Sequence, residues 1–130
     1  MPWVEIFAAF VVCHLVGDYL FQTDWQALNK RGGLRANPLA RRALVSHIVN
    51  YTVAFVPALI WLATEIGAWA VGVAALIAVP HMVQDDGRLL TMYMLRVKHT
   101  DPRANPAVAG AADQAFHFLA LFLTALLVGD

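Results

Sequence analysis

Long apolar runs separated by two polar stretches set the pattern of the chain. Four runs reach the roughly 18 residues or more expected of a membrane-crossing helix: Trp3 to Phe21, Ala43 to Ala63, Ile66 to Val83 and Ala107 to Val128. Asn37-Pro38 and Asn105-Pro106 each place a capping side chain ahead of a proline. That pair suits a first helical turn, where the N–H that proline lacks would have had no partner. Gly32-Gly33 and Gly67 are predicted helix stops. Pro57 and Pro80 are predicted to kink the second and third spans, the latter beside His81. The pattern predicts an all-α fold in which residues 1–130 form one domain, a polytopic four-helix transmembrane bundle.

The polar residues inside these spans follow the period of a helix. In HLVGDYLFQ, residues 14 to 22, His14, Asp18 and Gln22 are spaced four apart and share one face. His47 lies in the second span, His81 with Asp85 (HMVQD) at the end of the third, and Asp113 with His117 (DQAFH) in the fourth. At about 1.5 Å per residue, the four histidines lie about 16 to 21 Å from the outer ends of their spans, one level in the inner half of a hydrocarbon core about 30 Å thick. A carboxylate facing lipid at mid-bilayer costs at least about 2.5 to 3.5 kcal/mol. Asp18, Asp85 and Asp113 are therefore expected to turn inward and meet the imidazoles. HLVGD and HMVQD, each followed after about twenty residues by Asn-Pro, hint at a duplicated hairpin.

Composition agrees with a membrane protein whose partner is the lipid bilayer, since 60% of residues are hydrophobic and only 14% are charged. The net charge is zero and all nine Lys and Arg fall within residues 23–42 and 84–106. No basic face remains for nucleic acid. The positive-inside rule places those two connections in the cytoplasm and both termini outside, in a multi-pass protein of the inner (cytoplasmic) membrane. Trp3, Trp61 and Trp69 then fall at outer span ends, as an interfacial belt requires. Glu5 opens the chain and no basic residue precedes Lys30, so the first span lacks the head of a secretory signal and is read as retained. Cys13, the single cysteine, excludes an intramolecular disulfide and a thiolate zinc site. The stretch Leu89 to Val97 either continues the third helix or lies along the inner surface.

Neutral imidazole with carboxylate is a ligand set for zinc, manganese or iron, and zinc fits it best. The candidate ligands are His14, Asp18, His47, His81, Asp85, Asp113 and His117, enough for one divalent metal with supporting carboxylates or for two metals sharing one. Asp113 is the carboxylate assigned to catalysis, as a proton acceptor. Gln22 and Gln114 extend the polar stripes, Asn50 and Tyr51 are expected to pack, and Asp24, Asp86, Asp101 and His99 are expected to be solvated. Arg41, Arg42 and Arg88 lie near the mouth and suit a phosphate.

Taken together, HLVGDYLFQTDW, Ser46-His47, HMVQD and DQAFH resemble a family of short four-pass bacterial and phage membrane proteins known only as a domain of unknown function. More distantly, the chain is similar to predicted membrane-bound metal-dependent hydrolases. That likeness implies a metal site, and an amphiphile with a cleavable headgroup as substrate. Two other classes stay open: a divalent cation or proton carrier or sensor, for which a homodimer would supply a thicker pathway, and a small structural subunit.

Overall fold

In the computed structural model, which describes residues 1–130, the chain is helical throughout and has no strand. In order, the elements are α1 (Trp3–Leu15), which continues as a wider π-helical turn (Val16–Phe21), α2 (Asp24–Asn29), α3 (Pro38–Ala54), α4 (Val56–Ile66), a short 3-10 turn (Gly67–Trp69), α5 (Ala70–Asp85), α6 (Arg88–Arg96) and α7 (Pro106–Val128). Three helical runs are long and apolar enough to cross a membrane: Trp3–Phe21, Val56–Asp85 and Pro106–Val128.

Local chemistry explains most of the boundaries. The Asn37 side chain accepts the Ala40 N–H at 3.2 Å ahead of Pro38, the expected cap. Pro106 likewise opens α7, although Asn105 makes no capping bond there. The second predicted span is broken at Phe55, because Pro57 has no N–H to offer the Val53 carbonyl and the ladder is interrupted just ahead of it. Helix α5, in contrast, runs on through Pro80. The apolar stretch after residue 88 is a separate helix, α6, set off from α5 by Asp86-Gly87.

The run Val56–Asp85 folds back on itself. Gly67 has φ 59° and ψ −136°, a conformation open to glycine because it lacks a Cβ. An unbroken helix from His47 to His81 would separate them by about 51 Å, yet their Nε2 atoms are 3.0 Å apart. The chain reverses at Gly67, so α5 packs alongside α3 and α4 and, on its other side, against α7.

Two layers follow along the long axis. The end carrying Gly67 and the termini is packed with Ile6, Phe10, Phe55, Leu62, Ile77 and Leu121. Trp3 meets Phe122 edge-on at 5.5 Å, and the Met1 ammonium meets the Asp130 carboxylate at 2.6 Å. Towards the opposite end the interior turns polar, and α6 closes it by packing Leu90 and Met94 on Ala109, with Tyr93 edge-on to Phe116 at 5.0 Å.

The boundary between these layers depends on a close approach. In the π-helical turn, a Cβ on Gly17 would lie 2.6 Å from Tyr51 Cδ2 and 3.3 Å from the Tyr51 Cα. Only a bare backbone lets α3 come so near. Gly17→Ala is therefore expected to destabilise the fold by about 1–3 kcal/mol through overpacking. Thermal unfolding in detergent checks this: its midpoint should fall for Gly17→Ala and hold or rise for Gly72→Ala, where an added Cβ meets nothing within 4 Å.

Candidate metal centre

Four side-chain atoms from three elements converge below Tyr51. The π-helical turn supplies Asp18, α3 supplies His47, and α5 supplies His81 and Asp85 one turn apart. His47 Nε2 lies 3.2 Å from Asp18 Oδ1 and 2.9 Å from Asp85 Oδ2. His81 Nε2 lies 3.3 Å and 3.1 Å from the same two oxygens. All four residues are buried, none more than 8% exposed.

These spacings match a coordination shell. Ligand bonds of about 2.0–2.1 Å put neighbouring donors about 3.3 Å apart around a tetrahedral ion and about 2.9 Å apart around an octahedral one. The same separations lie within hydrogen-bond range, although hydrogen bonding leaves several atoms of the cluster unmet. Two Nε2 atoms 3.0 Å apart cannot both carry a proton on their facing sides, so at least one offers a bare lone pair to its neighbour. Asp18 Oδ1 has no hydrogen-bond partner, and neither do the Nδ1 atoms of His47 and His81.

Helix α7 adds a second group on the other side of Asp85. His117 Nδ1 donates to the Asp113 backbone carbonyl at 2.7 Å, one turn back. In the neutral ring that bond leaves the lone pair on Nε2, which lies 3.2 Å from Asp85 Oδ1. A histidine whose far nitrogen is tied to a backbone carbonyl while its near nitrogen points at the site has the arrangement found in metal-ligating histidines. Asp85, Asp113 and His117 form a set that could hold a metal ion, as do Asp18, His47, His81 and Asp85, with Asp85 common to both. The Asp113 side chain is 26% exposed, beside a cavity of about 120 Å³ walled by Gln84, Leu89, Leu90 and Phe116.

Of the seven residues expected at the site, six fall in these two sets. His14 stands beside them with both nitrogens engaged, Nδ1 to the Tyr51 hydroxyl and Nε2 to the Gln114 amide oxygen, each at 2.9 Å. With the amide oxygen accepting, His14 carries its proton on Nε2 and takes the Tyr51 hydroxyl proton on Nδ1. Its Nε2 is 3.7 Å from Asp18 Oδ2. Tyr51 packs as expected, its ring stacked on His81 at 3.5 Å between centroids and 8° between planes, and its hydroxyl adds the bond to His14. Gln22 lies past the end of the helix and donates to the Asp18 carbonyl at 3.3 Å.

Two residues near the centre were not expected there. Lys30, whose only sequence signal is its charge, reaches in from the loop after α2 and places Nζ 2.7 Å from Asp85 Oδ2. Asp86 is not solvated: it is 5% exposed and accepts the Leu34 N–H at 2.9 Å, while its carbonyl takes the Gly32 N–H at 2.9 Å. Arg41 and Arg42 are turned elsewhere, Arg41 to the Arg35 carbonyl at 3.0 Å and Arg42 over the Trp25 ring at 6.0 Å.

No curated protein and no solved structure matches the chain. Residues 6–129 match the family described as a protein of unknown function, DUF3307, and with nearly the whole length covered the chain belongs to that family.

Proposed function

We propose that this protein is an integral membrane metalloprotein that holds a divalent cation, zinc before manganese or iron, between Asp18, His47, His81 and Asp85. In this reading α1, α3 with α4, α5 and α7 are four crossings, both termini lie outside, and the Lys- and Arg-bearing connections lie in the cytoplasm of a cell whose inner membrane holds the chain. The carrying observation is the set of donor distances around the two Nε2 atoms, 2.9 to 3.3 Å, with the two ring nitrogens 3.0 Å apart and room for at most one proton between them. His117 Nε2, 3.2 Å from Asp85 Oδ1, extends the site towards α7 and supports a second ion sharing the Asp85 carboxylate.

The chemistry we assign is hydrolysis of an ester in the head of an amphiphile. The cation would polarise the ester oxygen and acidify water. Asp113 is the carboxylate within reach of a substrate, through the cavity beside α6, and takes the proton. His14, with both nitrogens engaged by Tyr51 and Gln114, borders the site and offers no nitrogen to the ion. A carrier is disfavoured by the packing of the opposite half, where Phe10, Phe55, Leu62 and Leu121 close the interior and leave no polar route through.

Elemental analysis of protein purified in detergent and supplied with zinc, manganese or iron tests the centre. Wild type should retain at least one equivalent, and His47→Ala and His81→Ala should each lose most of it. A folded wild type that retains none removes the reading. Asp113→Asn should keep a stoichiometric metal while its turnover of phospholipid headgroup esters falls by about 10²-fold or more. Unchanged turnover would end the role of Asp113 as base. Lys30→Gln removes an ammonium from Asp85 Oδ2, so competition with a chelator should show metal binding tighter by about tenfold or more. Weaker binding would mean that Lys30 supports the bound ion instead of opposing it.

A further inference from the structure

The polar end of the molecule holds a second concentration of charge that the metal site does not use. A cavity of about 580 Å³ opens between the loop after α2 and the start of α6, and Arg31, Arg35, Arg88 and Arg103 line it. The guanidinium groups of Arg31, Arg35 and Arg103 have no carboxylate partner, and Arg88 reaches Asp86 only through Nε at 3.7 Å.

The two carboxylates at the wall, Asp86 and Asp101, are already engaged by backbone donors. Asp86 Oδ1 accepts the Leu34 N–H at 2.9 Å, and Asp101 Oδ1 accepts the Arg103 N–H at 2.7 Å. Helix α6 begins at the same wall with no side chain capping its first turn, which leaves unpaired N–H groups and the positive end of the helix dipole there. Four guanidinium groups against two carboxylates leave the hollow net positive, which favours an incoming anion. Guanidinium donates in pairs at the spacing of phosphate oxygens. The remaining wall includes Met92 and Leu95, both exposed, which would suit the apolar part of a molecule whose head is held by the arginines.

We propose that this cavity binds a phosphate group, with Arg31, Arg35, Arg88 and Arg103 as its donors. The site stands apart from the metal centre and does not rest on it. They meet at one corner: Lys30 reaches the metal-side Asp85 while its neighbour Arg31 lines the cavity, and Asp86 faces the cavity directly after Asp85. The phosphate could belong to a lipid head or to a free ion in the cytoplasm. The wall chemistry is the same for both.

Calorimetric titration of the full chain in dodecyl maltoside separates these sources, using inorganic phosphate in one arm and micelles doped with phosphatidic acid in the other. Saturable binding of either probe is expected. Arg103→Gln should weaken it about tenfold, and the Arg31→Gln/Arg88→Gln pair by about a hundredfold. Arg42→Gln, whose guanidinium lies over Trp25, should not weaken it. Tighter binding of phosphatidic acid assigns the site to a lipid head; equal or weaker binding assigns it to free phosphate. Absence of saturable binding of both probes by wild type overturns the proposal, as does unchanged affinity in Arg103→Gln and in the double variant. Metal content should be unaltered in the arginine variants, and phosphate binding should survive His81→Ala, so that loss of one site is distinguishable from loss of the other.

Discussion

Two aspartates sealed from solvent dominate the energetics of this fold. Asp18 and Asp85 lie among helices whose remaining surfaces are apolar, and a buried carboxylate stripped of its partners costs several kcal/mol. Compensation comes from His47, His81, His117 and Lys30, which belong to α3, α5, α7 and the loop after α2. No single element can satisfy either carboxylate, so the elements must arrive together and in register. The apolar half gives the helices reason to associate, and the polar half specifies which arrangement of them survives.

That division explains why Gly17 and Tyr51 sit where they do. Tyr51 is 1% exposed and touches both halves: its ring covers Gly17 and lies flat on His81, while its hydroxyl reaches His14. The π-helical turn containing Gly17 and Asp18 adds width to the first helix at this level, and such turns occur often at functional sites. It presents Asp18 to α3 and α5 while the glycine lets α3 close in.

Much of this was legible in the sequence because it depends on spacing. The period-four pairing of His81 with Asp85 and of Asp113 with His117, the apolar runs, the cap at Asn37 and the stop at Gly67 all follow from local rules. What was not legible depends on which atoms meet across helices. His14 has the same HxxxD setting as His81, yet its nitrogens go to Tyr51 and Gln114, residues 37 and 100 positions away. Lys30 showed only as a topology-setting charge, because nothing near it in sequence tells that its ammonium folds inward. Asp86 likewise looked solvated, and only the docking of the 30–34 loop on the end of α5 buries it.

The dipeptide Asp85-Asp86 is where these threads join. One carboxylate is drawn inward by imidazoles and an ammonium, and the next is held outward by the Leu34 amide and approached by Arg88. Consecutive residues of a helix project about 100° apart, so the end of α5 presents one carboxylate to the interior and the next to the docked loop. A slip of one residue in the register of α5 would therefore exchange the two carboxylates, so the loop that docks on Asp86 also fixes which aspartate enters the cluster.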